Sequence, residues 1–162
     1  MRRFEIGIAA TVVLLDQLTK AAVRTQFQLY ESAVVIPGFF DLTRVHNTGA
    51  AFGTLNLVDF RYKAVVLAIV AAVALVALAM YSATMAPEQR LARFGLAAII
   101  GGAVGNLIDR LTAGYVLDFV DLYWGAWHFW AFNVADAAIT CGVALMILDL
   151  LGIGHYRVSR TV

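Results

Sequence analysis

Residues 64–81 run for eighteen positions without a charged side chain, and all but Met80 and Tyr81 are alanine, valine, leucine or isoleucine. Crossing the ~30 Å hydrocarbon core of a bilayer takes about 20 mostly apolar residues in a helix. Backbone N–H and C=O groups in lipid must be satisfied within their own segment, which selects a helix over an open strand. Three further stretches follow the same rule: 4–23, interrupted by Asp16 and Lys20; 91–108, with Arg93 near its start; and 132–153, with Asp136 and Asp149 near its ends. Only 14% of the 162 residues are charged and 62% are hydrophobic, against about a quarter charged in a soluble domain. The expected architecture is therefore mainly α: one integral membrane domain over 1–162 with four transmembrane helices. The start, Met1-Arg2-Arg3 and then an apolar run, has the form of a secretory leader. It meets Asp16, Gln17 and Lys20 instead of a small-residue cleavage site, so it reads as a retained first span.

Two longer connections, 25–62 and 111–131, leave from the same side of a four-span bundle. The first has strand-like composition around a Pro37-Gly38 turn. The second mixes Tyr115, Tyr123, Trp124, Trp127 and Trp130 with Asp118 and Asp121, a density of aromatics that suits a membrane–water interface. Lysine and arginine divide six against six. Arg2, Arg3, Arg90, Arg93, Arg157 and Arg160 fall on the terminal side, and Lys20, Arg24, Arg44, Arg61, Lys63 and Arg110 on the other. The positive-inside rule therefore does not orient the chain. A net charge of +1 offers no footprint for nucleic acid. Cys141 is alone, so neither an intrachain disulfide nor a cysteine metal site is expected. His46, His128 and His155 are scattered and suggest no metal cluster.

A charge in mid-bilayer costs ~2.5–3.5 kcal/mol even on a lenient scale, so polar residues within spans are candidates for function. Here they gather at the span ends that face the long connections: Asp16 and Lys20, then Asn106, Asp109 and Arg110, then Asn133 and Asp136, with Asn47 in the first connection. A transport path would string such groups through the midplane, whereas these form one interfacial layer. A small transporter or channel subunit and a scaffolding membrane protein remain the competing classes.

Helical spacing sets Asn106 against Asp109 and Arg110, three and four residues on. Gly101 and Gly105 allow another backbone close to that helix. Such an arginine can bind a backbone carbonyl or stabilise developing negative charge; an interfacial Asp–Arg anchor is the plain alternative. Asn133 followed three residues later by Asp136, ahead of an apolar run, has the form of a capping box. Asp118 lies between Leu117 and Phe119 in a strand-like stretch. The connection that joins Asp118 to Asp136 starts and ends on one side, so the two acids can meet at the mouth of the bundle. Two carboxylates in contact tend to share one proton. One can then take a proton from water while the other donates to a scissile carbonyl. No His-Glu-x-x-His or Gly-x-Gly-Asp tetrapeptide suggests another proteolytic chemistry.

Asp16-Gln17-Leu18-Thr19-Lys20, Asn47-Thr48-Gly49-Ala50-Ala51-Phe52, Gly105-Asn106-Leu107-Ile108-Asp109-Arg110, Val116-Leu117-Asp118-Phe119 and Phe132-Asn133-Val134-Ala135-Asp136 resemble, in order and spacing, the signature blocks of the lipoprotein signal peptidases (signal peptidase II). The resemblance implies four transmembrane helices, cytoplasmic termini and a small extracytoplasmic β-rich cradle. It implies an aspartic endopeptidase of the bacterial inner membrane, working without metal or organic cofactor. Its substrates would be diacylglyceryl-modified prolipoproteins held in membrane lipid, and cyclic peptides such as globomycin would inhibit it. The catalytic pair would fall on Asp118 and Asp136. Asn47, Asn106, Asp109, Arg110 and Asn133 would line or shape the site, with Asp16 and Lys20 in a structural role beside it. Trp130 stands where the family often has proline just before the fourth block.

Overall fold

The structure, a computed structural model, describes residues 3–49 and 62–153. Ala50, Ala51 and Phe52 of the second signature block, the rest of the first long connection up to Arg61, and Arg2, His155, Arg157 and Arg160 lie outside the described residues.

Four helices form at the four apolar stretches: α1 (Arg3–Gln26), α2 (Lys63–Thr84), α3 (Arg90–Thr112) and α4 (Val134–Leu150). The first three outrun the expected spans by one to four residues at each end, because the polar residues flanking the apolar runs join the last turns. The fourth is shorter than the expected 132–153, since Asn133 caps it and the helix gives way to turns after Leu150. By length and composition α1, α2 and α3 are apolar enough to cross a membrane; α4 has 17 residues.

Polarity is inverted relative to a soluble protein, in which charged residues are almost never fully buried. The residues that α1 buries are Glu5, Asp16, Lys20 and Val23, while Phe4, Leu14, Leu15 and Leu18 are exposed. α2 touches α3 along a narrow stripe and leaves Val65, Ile69, Val70, Val73 and Val76 bare. α3 is the central helix and packs against the other three. Small residues make this possible. Gly95 and Gly142 face each other across α3 and α4, Gly102 lies against the Ala135 backbone, and a Cβ on Gly101 would stand 2.8 Å from the Ala9 carbonyl of α1. At the end of the bundle away from the long connections, Arg93 pairs with Glu5 and donates to the Met85 carbonyl, 3.0 Å away, at the C-cap of α2.

Both long connections contribute to a single four-stranded antiparallel sheet, ordered β1 (Ser32–Ile36), β2 (Phe40–Asn47), β3 (Val116–Trp124) and β4 (Trp127–His128). Gly38, at φ +78°, turns β1 into β2. Gly114, at φ +79°, follows the end of α3 and redirects the chain into β3. Leu117 and Phe119 of β3 bury against Val23 of α1, with Phe27, Leu42 and Val134 around them. The same strand reaches α4 through a bridge between Val120 and Phe132, in which the Phe132 N–H donates to the Val120 carbonyl at 3.1 Å. That bridge sets Asp118 beside Asn133.

Candidate active site

The deepest layer of the site is a charge cluster. Lys20 is fully buried and uses its three N–H donors on three acceptors: Asp16 Oδ2 at 2.8 Å, Asp109 Oδ2 at 3.0 Å and Asn106 Oδ1 at 2.9 Å. Arg24 reaches the other oxygen of Asp109 at 2.7 Å. Two cations therefore meet two carboxylates, and each carboxylate also accepts a backbone N–H from another element. Asp109 takes Leu117 of β3 at 3.0 Å, and Asp16 takes Ala135 in the first turn of α4 at 3.0 Å. A carboxylate at a helix N-terminus is favoured by the orphan N–H groups and by the dipole. The cluster thus ties α1, α3, β3 and α4 together under the acids. A Cβ on Gly105 would come within 2.6 Å of Asp16 Oδ2, so only glycine leaves room for this arrangement.

Above it, Asn133 begins α4 with the capping box that its spacing to Asp136 suggests. Its Oδ1 accepts from the Asp136 N–H at 2.9 Å, and its own N–H donates to Asp136 Oδ2 at 3.2 Å. The amide end of the same side chain donates to Asp118 Oδ1 at 2.7 Å. One buried asparagine therefore stands between the two acids. Asn106 orients the second: its Nδ2 donates to Asp136 Oδ1 at 2.8 Å, while its Oδ1 accepts from Lys20 and from Asn133. Lys20 can only donate, so it fixes which end of the Asn106 amide faces Asp136. Asp118 is buried and Asp136 half-buried. Burial pushes the Asp118 carboxyl up to about 7, and the neighbouring charge of Asp136 adds to that, against the amides of Asn47 and Asn133.

The rim is made by the end of β2. Asn47 Nδ2 donates to Asp118 Oδ2 at 3.0 Å, and its Oδ1 accepts from the Gly49 N–H at 3.0 Å. Arg110 donates to the Gly49 carbonyl at 3.2 Å and to the Asn106 carbonyl at 3.4 Å. Adjacent helical residues point about 100° apart, and this separates Asp109 from Arg110. Asp109 turns inward to Lys20 and Arg24, so the interfacial Asp–Arg anchor that stood as the plain alternative is not found among the described residues, and Asp109 braces the site from below. His46 turns to the other face of the strand and stacks on Tyr115, with ring centroids 3.6 Å apart. Burial and the charges of Arg44 and Arg24 lower its pKa.

Among the residues singled out from the sequence, Asn47, Asn106, Asn133, Asp118 and Asp136 form one hydrogen-bonded network, with Asp16, Lys20 and Asp109 beneath it and Arg110 at its edge. Two members of the cluster were missed. Arg24 is four residues after Lys20 and eight after Asp16, so a single helical face carried the signal. Gln17, whose Nε2 donates to the Gly105 carbonyl at 3.2 Å, lies between Asp16 and Lys20 in the first signature block, and that place was its signal. Among the described residues, no group of three or more His, Cys, Asp or Glu side chains is placed to hold a metal ion.

Residues 8–152 match the family described as signal peptidase (SPase) II. Over 150 residues the chain is 45% identical to the lipoprotein signal peptidase of Geobacter metallireducens, covering 93% of this chain and 91% of that protein. It is 47% identical over 146 residues to that of Desulforapulum autotrophicum, covering 89% of each. Two solved structures share the fold. A bacterial membrane enzyme determined in meso at 2.3 Å superposes with a TM-score of 0.83 at 33% identity, over 98% of this chain and 94% of the other. A second, at 1.9 Å, gives 0.79 at 30% identity, over 91% and 92%. A match from end to end of the membrane bundle, in sequence as well as in fold, places this chain in the signal peptidase II family.

Proposed function

We propose that the protein is an aspartic endopeptidase of the bacterial inner membrane, and that it removes the signal peptide from prolipoproteins just before their diacylglyceryl-modified cysteine. The observation that carries this reading is that one buried asparagine, Asn133, donates from its side-chain amide to the Asp118 carboxylate and from its backbone N–H to the Asp136 carboxylate; burial beside Asp136 also pushes the Asp118 carboxyl up to about 7. An acid pair in this state holds one proton between its members and titrates jointly.

The chemistry follows from that proton. The ionised carboxylate takes a proton from water, whose oxygen attacks the scissile carbonyl carbon. The protonated partner gives its proton to the carbonyl oxygen, forming a tetrahedral diol. Return of a proton to the scissile nitrogen then expels the lipid-modified cysteine as a free amine, the diol collapses to leave the signal peptide with a C-terminal carboxyl group, and the pair regains its starting state. Asn47, Asn106 and Asn133 hold the carboxylates at fixed angles throughout. Arg110 sits beside the Gly49 carbonyl, and among the described residues it has N–H donors left over for the substrate backbone. Neither metal nor organic cofactor takes part.

The membrane arrangement that fits this chemistry has four spans in a single domain. α4, at 17 residues, is about 26 Å long at ~1.5 Å per residue, close to the lower limit for crossing a ~30 Å core. Both termini are then cytoplasmic, and the sheet with the acid pair lies at the extracytoplasmic face. There the two acyl chains of the substrate stay in lipid while the peptide bond reaches the acids, each buried methylene contributing ~0.8 kcal/mol to holding it at that depth. A cyclic peptide such as globomycin would inhibit by occupying the same cleft. Incubating purified protein in lipid with a prolipoprotein, with and without its diacylglyceryl group, tests the reading. Release of signal peptide from the lipidated form alone is expected; equal release from both contradicts it.

A further inference from the structure

We propose that the two hairpin turns at one end of the sheet form an uncharged wedge that enters the headgroup layer of the bilayer, so that the sheet lies along the membrane surface. The proposal rests on the reading of the chain as a membrane domain and is independent of the peptidase chemistry.

The turn between β1 and β2 and the turn between β3 and β4 lie side by side. Phe40 pairs with Leu122, the Tyr123 N–H donates to the Phe39 carbonyl at 2.9 Å, and the Gly38 N–H donates to the Tyr123 hydroxyl at 3.1 Å. Together they present apolar side chains outward. Trp124 is 80% exposed, Trp127 62%, Ile36 49% and Phe39 48%. Residues 36–40 and 122–132 contain no Asp, Glu, Lys or Arg. The first charges stand one row back. Asp41 faces Asp121 across β2 and β3, Asp41 accepts from the Tyr123 hydroxyl, and Asp121 accepts from His128.

An apolar, aromatic tip backed by a row of carboxylates fits one occupant best, the boundary between headgroups and acyl chains. Tryptophan favours that boundary because its ring is apolar and its N–H wants a polar neighbour. A protein-binding face would carry charge to set register and partner choice, and the tip has none. Position supports the same occupant. Trp124 is six residues beyond Asp118 along β3, about 20 Å at ~3.3 Å per residue. Phe132 is tied back to β3, and α4 starts at Val134. A sheet standing upright would hold these rings in water some 20 Å from lipid. A sheet lying flat carries them past the edge of the bundle into lipid and fixes the height of Asp118 on the same strand.

The sequence contains three tryptophans, Trp124, Trp127 and Trp130, all in this segment. Intrinsic tryptophan emission therefore reports on the tip without labelling. The full chain would be reconstituted in phosphatidylcholine vesicles with and without bromine on the upper acyl chain. Aqueous iodide would be tested in parallel, along with peptidase activity on the same samples. The Trp130→Phe variant confines the signal to Trp124 and Trp127. We expect brominated lipid to cut the emission of both proteins to less than half, and iodide to leave it nearly unchanged. Strong quenching by iodide with none by bromolipid places the tip in water and overturns the proposal. Emission that changes only when a lipidated prolipoprotein is added assigns the tip to substrate and overturns it as well. Because turnover is read separately, loss of the wedge and loss of the peptidase reading give different results.

Discussion

Replacing Lys20 by methionine removes one cation from a buried set of two cations and two carboxylates while keeping most of the side-chain volume. Asp109 keeps Arg24, which is 29% exposed. Asp16 keeps only Gln17 and the Ala135 N–H, and no remaining cation touches it among the described residues. Removing one partner of a buried ion pair costs about 3–5 kcal/mol. At about 1.4 kcal/mol per tenfold, that is two to three and a half orders of magnitude in the folding equilibrium. Asn106 also loses the donor that fixes its amide, so turnover per folded molecule should fall as well. The double variant Asp16→Asn, Lys20→Met removes the orphaned carboxylate and should recover a large part of the stability, since contacting residues couple by about 0.5–3 kcal/mol. Thermal unfolding in a fixed lipid–detergent mixture, for the wild type, both single variants and the double variant, gives the coupling directly. A Lys20→Met protein as stable as the wild type, or a double variant no better than Lys20→Met, would refute the reading of this cluster as the brace beneath the acids.

Other expectations follow from the same geometry. Gly105→Ala puts a methyl group against Asp16 Oδ2; overpacking of this kind costs about 1–3 kcal/mol, and unfolding midpoints should show it, with Gly7→Ala, which meets open space, as the control. Arg110→Ala should leave slow but measurable cleavage, reduced by roughly 10²–10³ as for loss of a positioning donor. Arg110→Lys should recover little, because an ammonium lacks the planar fork; full turnover per folded molecule in the alanine variant removes Arg110 from the site. The raised Asp118 pKa fixes the direction of the pH dependence. The shared proton is present below about 7 and is lost as pH rises through that value, so turnover should fall on the alkaline side; a rate still climbing steadily above this pH counts against a shared proton.

Much of the site was legible in the sequence because its local rules are strong. The spacing of Asn133 to Asp136 gives the capping box, and the capping box in turn delivers Asp136 to the site. The gathering of Asn106, Arg110, Asp16 and Lys20 at span ends follows from the cost of charge in lipid. What was not legible depends on non-local choices. Whether Asp109 pairs with its neighbour Arg110 or with Lys20 and Arg24 is decided by the rotation of α3 against α1, which small residues such as Gly101 and Gly105 permit but do not announce. The pairing of β2 with β3 joins two segments about 70 residues apart, and strand composition alone carries no register between them. Trp130, where the resemblance led to an expectation of proline, left the approach to Asp136 open. The hydrogen bond from Phe132 to Val120 holds that approach in place.

The most direct measurement is turnover of a lipidated prolipoprotein by Asp118→Asn and Asp136→Asn, each purified in lipid and shown by its unfolding transition to be folded. An amide has the shape of the acid but cannot exchange a proton with water or with its partner. Both variants should be folded and inactive, with losses exceeding that of Arg110→Ala. Turnover near that of the wild type in either one would contradict catalysis by a shared-proton pair at Asp118 and Asp136.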